Sequence, residues 1–229
     1  MDDSKWERWS ALGGALFVVL ILVSGFLPGS PPKTSDSSQK IANFITDKAK
    51  EVRWSSFLGG LAVLALFWFA GAVWRFLSRA EGGSPRLTVV ALLGALFAAT
   101  MSAIGGVMLG VMGLVGVHGL GGVTMTRTYY LLSTALAGAT AFGAAVFVAA
   151  FSAVVIRSGV LPKAMGWIGI VIAVVFVASG GIVASTRNIF FALQFGGFLA
   201  FSIWLIIISV MMFRAAPVSA PAPAPASAS

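Results

Sequence analysis

Six separate stretches of this chain are long enough and apolar enough to cross a lipid bilayer, and nothing else in the sequence constrains the fold as tightly. A helical span needs about 20 mostly apolar residues to cross a hydrocarbon core about 30 Å thick. The stretches that qualify run from Ser10 to Leu27, Ser55 to Leu77, Leu87 to Leu109, Thr128 to Ile156, after Pro162 to Ala184, and Ile189 to Phe213. Inside lipid a spanning segment has no water to satisfy its backbone N–H and C=O groups, so it must pair them internally as helix. The expected fold class is therefore all-α: a polytopic transmembrane helical bundle of about six spans. The first stretch reads as a retained span, because no small-x-small cleavage site follows it at the right place.

Charge agrees with this picture. Only 10% of the residues are charged, against about a quarter in soluble domains. The net charge of +8 fits basic residues flanking spans and meeting anionic headgroups, and no nucleic-acid partner is expected. Trp9, Trp54, Trp74 and Trp167 fall at or near the ends of spans, where indole rings favour the interface.

The spans lie in a membrane domain over residues 10–214, preceded by a short tail at 1–9 that is expected to be cytoplasmic. Residues 215–229 are almost all Ala, Pro and Ser, a composition that buries no core and reads as a disordered tail. In the loop 28–54, Ile41, Phe44, Ile45, Lys48 and Val52 share one helical face. This predicts an amphipathic helix over 37–52, capped by Asp36 or Ser37, that lies at the interface or lids the bundle. Outside that loop, eight basic residues (Lys5, Arg8, Arg75, Arg79, Arg86, Arg157, Lys163, Arg214) fall on the side of the amino terminus and two (Arg127, Arg187) on the other. The bias predicts that both termini are cytoplasmic and that the amphipathic helix lies outside.

The chemistry the chain lacks is informative. It has no cysteine, which excludes disulfides and thiolate chemistry. All 7 acidic residues lie at or before Glu81, so no carboxylate sits within an apolar stretch. Ion-coupled transporters generally carry one there. No Walker A, HExxH or GxSxG pattern occurs. His118 is the single histidine, too few for paired haem ligands or a zinc site. No cofactor, no metal site and no catalytic residue are expected, and the chain reads as a non-enzyme.

Small residues are the strongest internal pattern. Ser133, Ala137, Ala141, Ala145 and Ala149 recur every four residues, and Gly106 and Gly110 form a GxxxG pair followed by Gly113 and Gly116. Such faces let helices approach closely, either within the bundle or against a membrane-protein partner or a second copy of the chain. The candidate ligand or pathway residues are His118 in a Gly-rich connection, Arg127, Tyr129 and Tyr130 at the start of the fourth span, Arg187 before the sixth, and Gln194 within it. Gln194 is the most polar side chain of the last two spans, and its amide needs a partner in hydrocarbon. The remaining polar residues of the spans, including Thr100, Ser102, Ser133, Thr134, Thr140, Ser179 and Ser202, show no alignment by spacing. These features favour a binding or accessory role, for a membrane partner or a lipophilic ligand. The alternative is a channel or uncoupled carrier for an anion or small neutral solute.

The order of several short motifs resembles that of multi-pass actinobacterial membrane proteins of unknown function. They are Trp6-Glu7-Arg8-Trp9, Pro31-Pro32 ahead of an Asp-Ser helix start, Arg79-Ala80-Glu81-Gly82, and Gly159-Val160-Leu161-Pro162-Lys163-Ala164-Met165-Gly166-Trp167. The resemblance covers residues 6–213 and implies six spans and a location in the cell membrane. It carries no activity onto these residues.

Overall fold

The computed structural model describes residues 9–118, 122–184 and 187–215. Among them are seven α-helices and one 3-10 turn, with no strand. The helices are α1 (Gly13–Phe26), α2 (Ser38–Asp47), α3 (Ala49–Glu81), α4 (Arg86–His118), α5 (Val123–Ser158), α6 (Lys163–Ser179) and α7 (Asn188–Arg214), with the 3-10 turn Gly180–Val183 extending α6. With the helical residues from Trp9 ahead of α1 and the 3-10 turn after α6 included, all but α2 are long and apolar enough to cross a membrane, giving six spans. The chain is thus an α-helical integral membrane bundle. The tails at 1–8 and 216–229 lie outside the described residues.

The spanning helices close a ring in chain order: α1 packs on α3, α3 on α4, and so on to α7, which returns to α1. The α1–α7 seam is pinned at both ends by edge-to-face ring pairs, Trp9 with Phe213 and Phe26 with Phe195, each at 6.3 Å. The lipid-facing flanks are apolar, and Trp9, Trp54, Trp74 and Trp167 are all exposed, as interface anchors should be. By contrast Trp204 is buried, its indole Nε1 donating to the Met165 carbonyl at 2.9 Å and so tying α7 to α6.

Two joints explain how adjacent helices turn back. At the end of α3, Gly82 and Gly83 adopt φ of +64° and +49°, a region that favours glycine. The Glu81 carboxylate then reaches over this turn to accept from Leu87 N (2.8 Å), Thr88 N (2.9 Å) and the Thr88 hydroxyl (2.8 Å). It satisfies orphan donors in the first turn of α4, where the helix dipole also favours negative charge. After α5, Gly159 takes the left-handed conformation (φ +68°) and its N–H bonds Val155 O at 3.0 Å.

The end of the bundle that carries α2 differs from the sequence expectation in two respects. The amphipathic helix expected over 37–52 stops at Asp47: Lys48 breaks it (φ −110°, ψ 20°), and Ala49 begins α3, so Val52 belongs to the spanning helix. Ser37 caps α2 as expected, accepting from Lys40 N at 3.3 Å. The Gly-rich connection expected around His118 is also largely helical, since α4 runs on to His118 itself. At the α2 end of the bundle, α3 and α4 pack on each other and on α2. A Cβ at Gly113 would lie 2.9 Å from Ala49 O, and one at Gly116 would lie 3.3 Å from Ile45 O.

Candidate functional site

The ring does not fill its own centre. A chamber of about 320 Å³ lies inside it, lined by residues of all six spans. Its walls include Phe17 and Ile21 from α1, Val63 from α3, Ala98 and Met101 from α4, Ala141 from α5, Phe176 from α6 and Phe198 from α7. A second chamber of about 330 Å³ lies beneath α2, bounded by Pro28 and Pro31 of the loop, Phe44 and Ile45 of α2, and Tyr130, Phe191 and Phe195. The two meet: Ser55, Leu109, Ser133, Ala137, Gln194 and Phe198 line both. Together they form a well running from the α2 end to the middle of the bundle.

The floor of the well is aromatic. Phe147, Phe176 and Phe201 line the inner chamber, and behind them Phe151 and Trp204 meet edge to face at 5.3 Å. Beyond this layer Phe69, Val73, Leu77, Val154, Leu205 and Ile208 are fully buried. This packed layer lies beneath the well, and a third cavity of about 290 Å³ opens between α3 and α4 on the Gly82 side, sharing Leu66 and Ala95 with the inner chamber.

Over the other end lies α2 as a lid. Ile41 and Ile45 are buried against Val52, Met112 and Tyr130, with Phe44, Leu109 and Tyr129 packed around them. Four polar contacts hold the lid and its leading loop. Tyr130 donates its hydroxyl proton to Pro32 O, Arg127 Nη1 donates to Ser38 Oγ at 3.0 Å, and Asp36 pairs with Lys40 at 2.9 Å while accepting from Lys33 N. The Lys40 ammonium, together with the Lys33 N–H, holds the Asp36 carboxyl below its ordinary range.

The sequence-derived candidates therefore divide. Gln194 is at the centre of the site, at the junction of the two chambers. Tyr130 lines the outer chamber and secures the lid, while Tyr129 sits half-buried beside it. Arg127 braces the lid, and neither it nor Arg187 lines a chamber. His118 ends α4, and its side chain lies outside the described residues.

The small-residue stripe also divides. Ser133, Ala137 and Ala141 face the void, whereas Ala145 is buried in the core and Ala149 packs against it. Of the GxxxG pair, Gly106 faces the chamber and Gly110 packs on Ser56. A close helix crossing lies elsewhere, at an unexpected pair of glycines. A Cβ on Gly94 would stand 2.8 Å from Gly143 O and 2.6 Å from Phe147 N, and one on Gly143 would stand 2.7 Å from Ala98 N. Hydroxyls that looked scattered along the chain also converge, since Ser102, Ser133 and Thr140 face one chamber from two helices.

Most polar groups of the well are already satisfied. Ser24 and Ser55 each donate to the other's backbone carbonyl, at 2.8 and 2.7 Å, clasping α1 to α3. Ser56, Ser133 and Thr140 donate to carbonyls of their own helices. The Gln194 amide and the Ser102 hydroxyl have no hydrogen-bond partner among the described residues. Neither chamber is lined by a charged side chain. Fold and site together define a polytopic membrane protein with a largely apolar well that holds two polar groups bonded to no described residue. No family model, curated protein or solved structure matches the chain.

Proposed function

We propose that this protein is a non-enzymatic membrane protein that holds a lipophilic molecule in its central well. The observation that carries the reading is the inner chamber, which is walled by every span, apolar almost throughout and free of charge. Water is a poor filler for walls with so few polar partners, so an apolar occupant fits the chamber best.

The apolar layer at Phe151 and Trp204, with Val154, Leu205 and Ile208 buried beyond it, supports a binding well over a channel, which needs a continuous polar path. The inward-facing half of the Ser133 to Ala149 stripe supports a small ligand over a protein partner at that face. The non-enzymatic reading rests on the residues of the well: hydroxyls, one amide and the Tyr130 phenol, with no acid–base pair or nucleophile–base pair. The charge bias of the connecting segments supports a position for α2 on the outer face of the cell membrane, with the well opening outward.

The test is purification of the full chain in native lipid discs, followed by mass spectrometry of bound molecules. The expected result is a lipophilic species retained near one per protein. An unoccupied protein that conducts solute after reconstitution would replace this reading with the channel.

A further inference from the structure

We infer that the occupant of the well is a single-tailed amphiphile with an uncharged polar head, such as a medium-chain alcohol or another short-tailed molecule bearing a hydroxyl or carbonyl group. The head would lie at Gln194 and the tail would point to the aromatic floor. This inference rests on the reading of the well as a ligand site and adds the chemistry of what it takes.

The argument starts from polar accounting. In an apolar medium an amide without a partner loses several kcal/mol relative to water, so such groups are almost always paired. Gln194 and Ser102 are the two polar groups lining the inner chamber whose side chains bond no described residue. Both face the void rather than a neighbouring helix. The free Gln194 amide offers two N–H donors and one carbonyl acceptor, and Ser102 offers one hydroxyl. That set satisfies a hydroxyl or a carbonyl. It does not neutralise a phosphate, a carboxylate or an ammonium, and burying an unpaired charge there would be prohibitive.

Polarity is also graded along the well. Gln194 stands at the junction of the chambers, while the deep end toward Phe201 presents Leu66, Ala95, Phe147 and Phe176. Gln194 and Phe201 are seven residues apart on α7, about 10 Å of depth at 1.5 Å per residue. A polar head at the junction with an alkyl chain below it matches this gradient, and the reverse orientation would leave both free polar groups facing methylenes.

The full chain would be reconstituted in dioleoylphosphatidylcholine vesicles with four photoreactive probes sharing one 8-carbon chain with a diazirine near its far end, a length matched to the depth below Gln194. The probes are the alkane, the primary alcohol, the alkyl sulfate and the alkyl trimethylammonium. Crosslinked sites are mapped by peptide mass spectrometry. The alcohol is expected to label the α5 segment from Ala137 to Phe147 about tenfold more efficiently than the alkane, and both charged probes less than the alkane. Gln194→Leu, an apolar replacement that α7 accommodates, should bring the alcohol down to the alkane level and leave the alkane unchanged. Ser102→Ala should give a smaller loss in the same direction. Equal labelling by alcohol and alkane in the unsubstituted protein would overturn the head-group inference and leave the lipophilic well standing. A charged probe labelling that segment as well as the alcohol would overturn it too. Absence of labelling in the segment by any of the four would remove both.

Discussion

The Gly94–Gly143 contact shows how much one hydrogen atom in place of a methyl can decide in lipid. Helices in a bilayer gain little from burying apolar surface against each other, because lipid is equally apolar; what they gain is close packing. At this crossing the backbones of α4 and α5 meet with no room for a Cβ on either side. Gly94→Ala and Gly143→Ala are each expected to destabilise the bundle by about 1–3 kcal/mol, the usual cost of overpacking. Gly106→Ala, which faces open space, should change stability little, and thermal unfolding in detergent would compare the three. Glu81 acts at the same scale. Glu81→Ala removes three accepted hydrogen bonds from the start of α4 and should cost about 1–2 kcal/mol, as loss of a helix cap does. Neither feature is visible to spacing rules. Gly94 and Gly143 each lie singly in an apolar run, and they find their meaning only in each other. Glu81 sits at the end of one helix while its partners belong to the next. Gln194 was legible because an amide in an apolar stretch is conspicuous wherever it lies.

At the scale of elements, the lid follows from the docking of α2 across the long ends of α4 and α5. Tyr130→Phe removes the hydroxyl that holds Pro32 O, and Arg127→Ala removes the brace on Ser38. Each is expected to raise amide exchange across residues 38–47 severalfold while leaving α5 protected, which hydrogen-exchange mass spectrometry reads directly. The Asp36–Lys40 pair behaves differently with pH. Because the folded-state value of Asp36 is depressed, its contribution is complete above the unfolded carboxylate value near 3.9 and disappears only as pH falls through the folded value. Protection of the lid should accordingly be flat from about pH 8 to about pH 5. Apolar runs announced all six spans, yet they understated the α2-side ends of the second and third. There the glycines 113 and 116 look like loop, and they are helical where they pack on Ala49 and Ile45. The break at Lys48 was equally hidden, since the apolar face of α2 continues in register into Val52.

For the whole molecule, orientation is the first quantity to measure, and the lack of native cysteine makes that simple. A cysteine placed at Ser35, in the exposed loop before α2, should react with an impermeant maleimide in intact cells, and one at Ser84, in the opposite turn, should react only after lysis. The reverse pattern would turn the well to face the cytoplasm. The chamber itself was not legible in the sequence, because its wall is shared among six helices and its free polar groups, Ser102 and Gln194, stand 92 positions apart in the chain. That sharing has a consequence for biogenesis. The wall is completed by α7, which leaves the ribosome after the other five spans, brings Gln194, Phe198 and Phe201 and makes the seam with α1 through Phe195 and Phe213. While the earlier spans are already in the bilayer, the nascent chamber stands open along one flank to the surrounding lipid. An occupant can be enclosed at synthesis instead of being admitted afterwards, and a probe supplied during cell-free translation into vesicles should be trapped more efficiently than one added once the chain is complete.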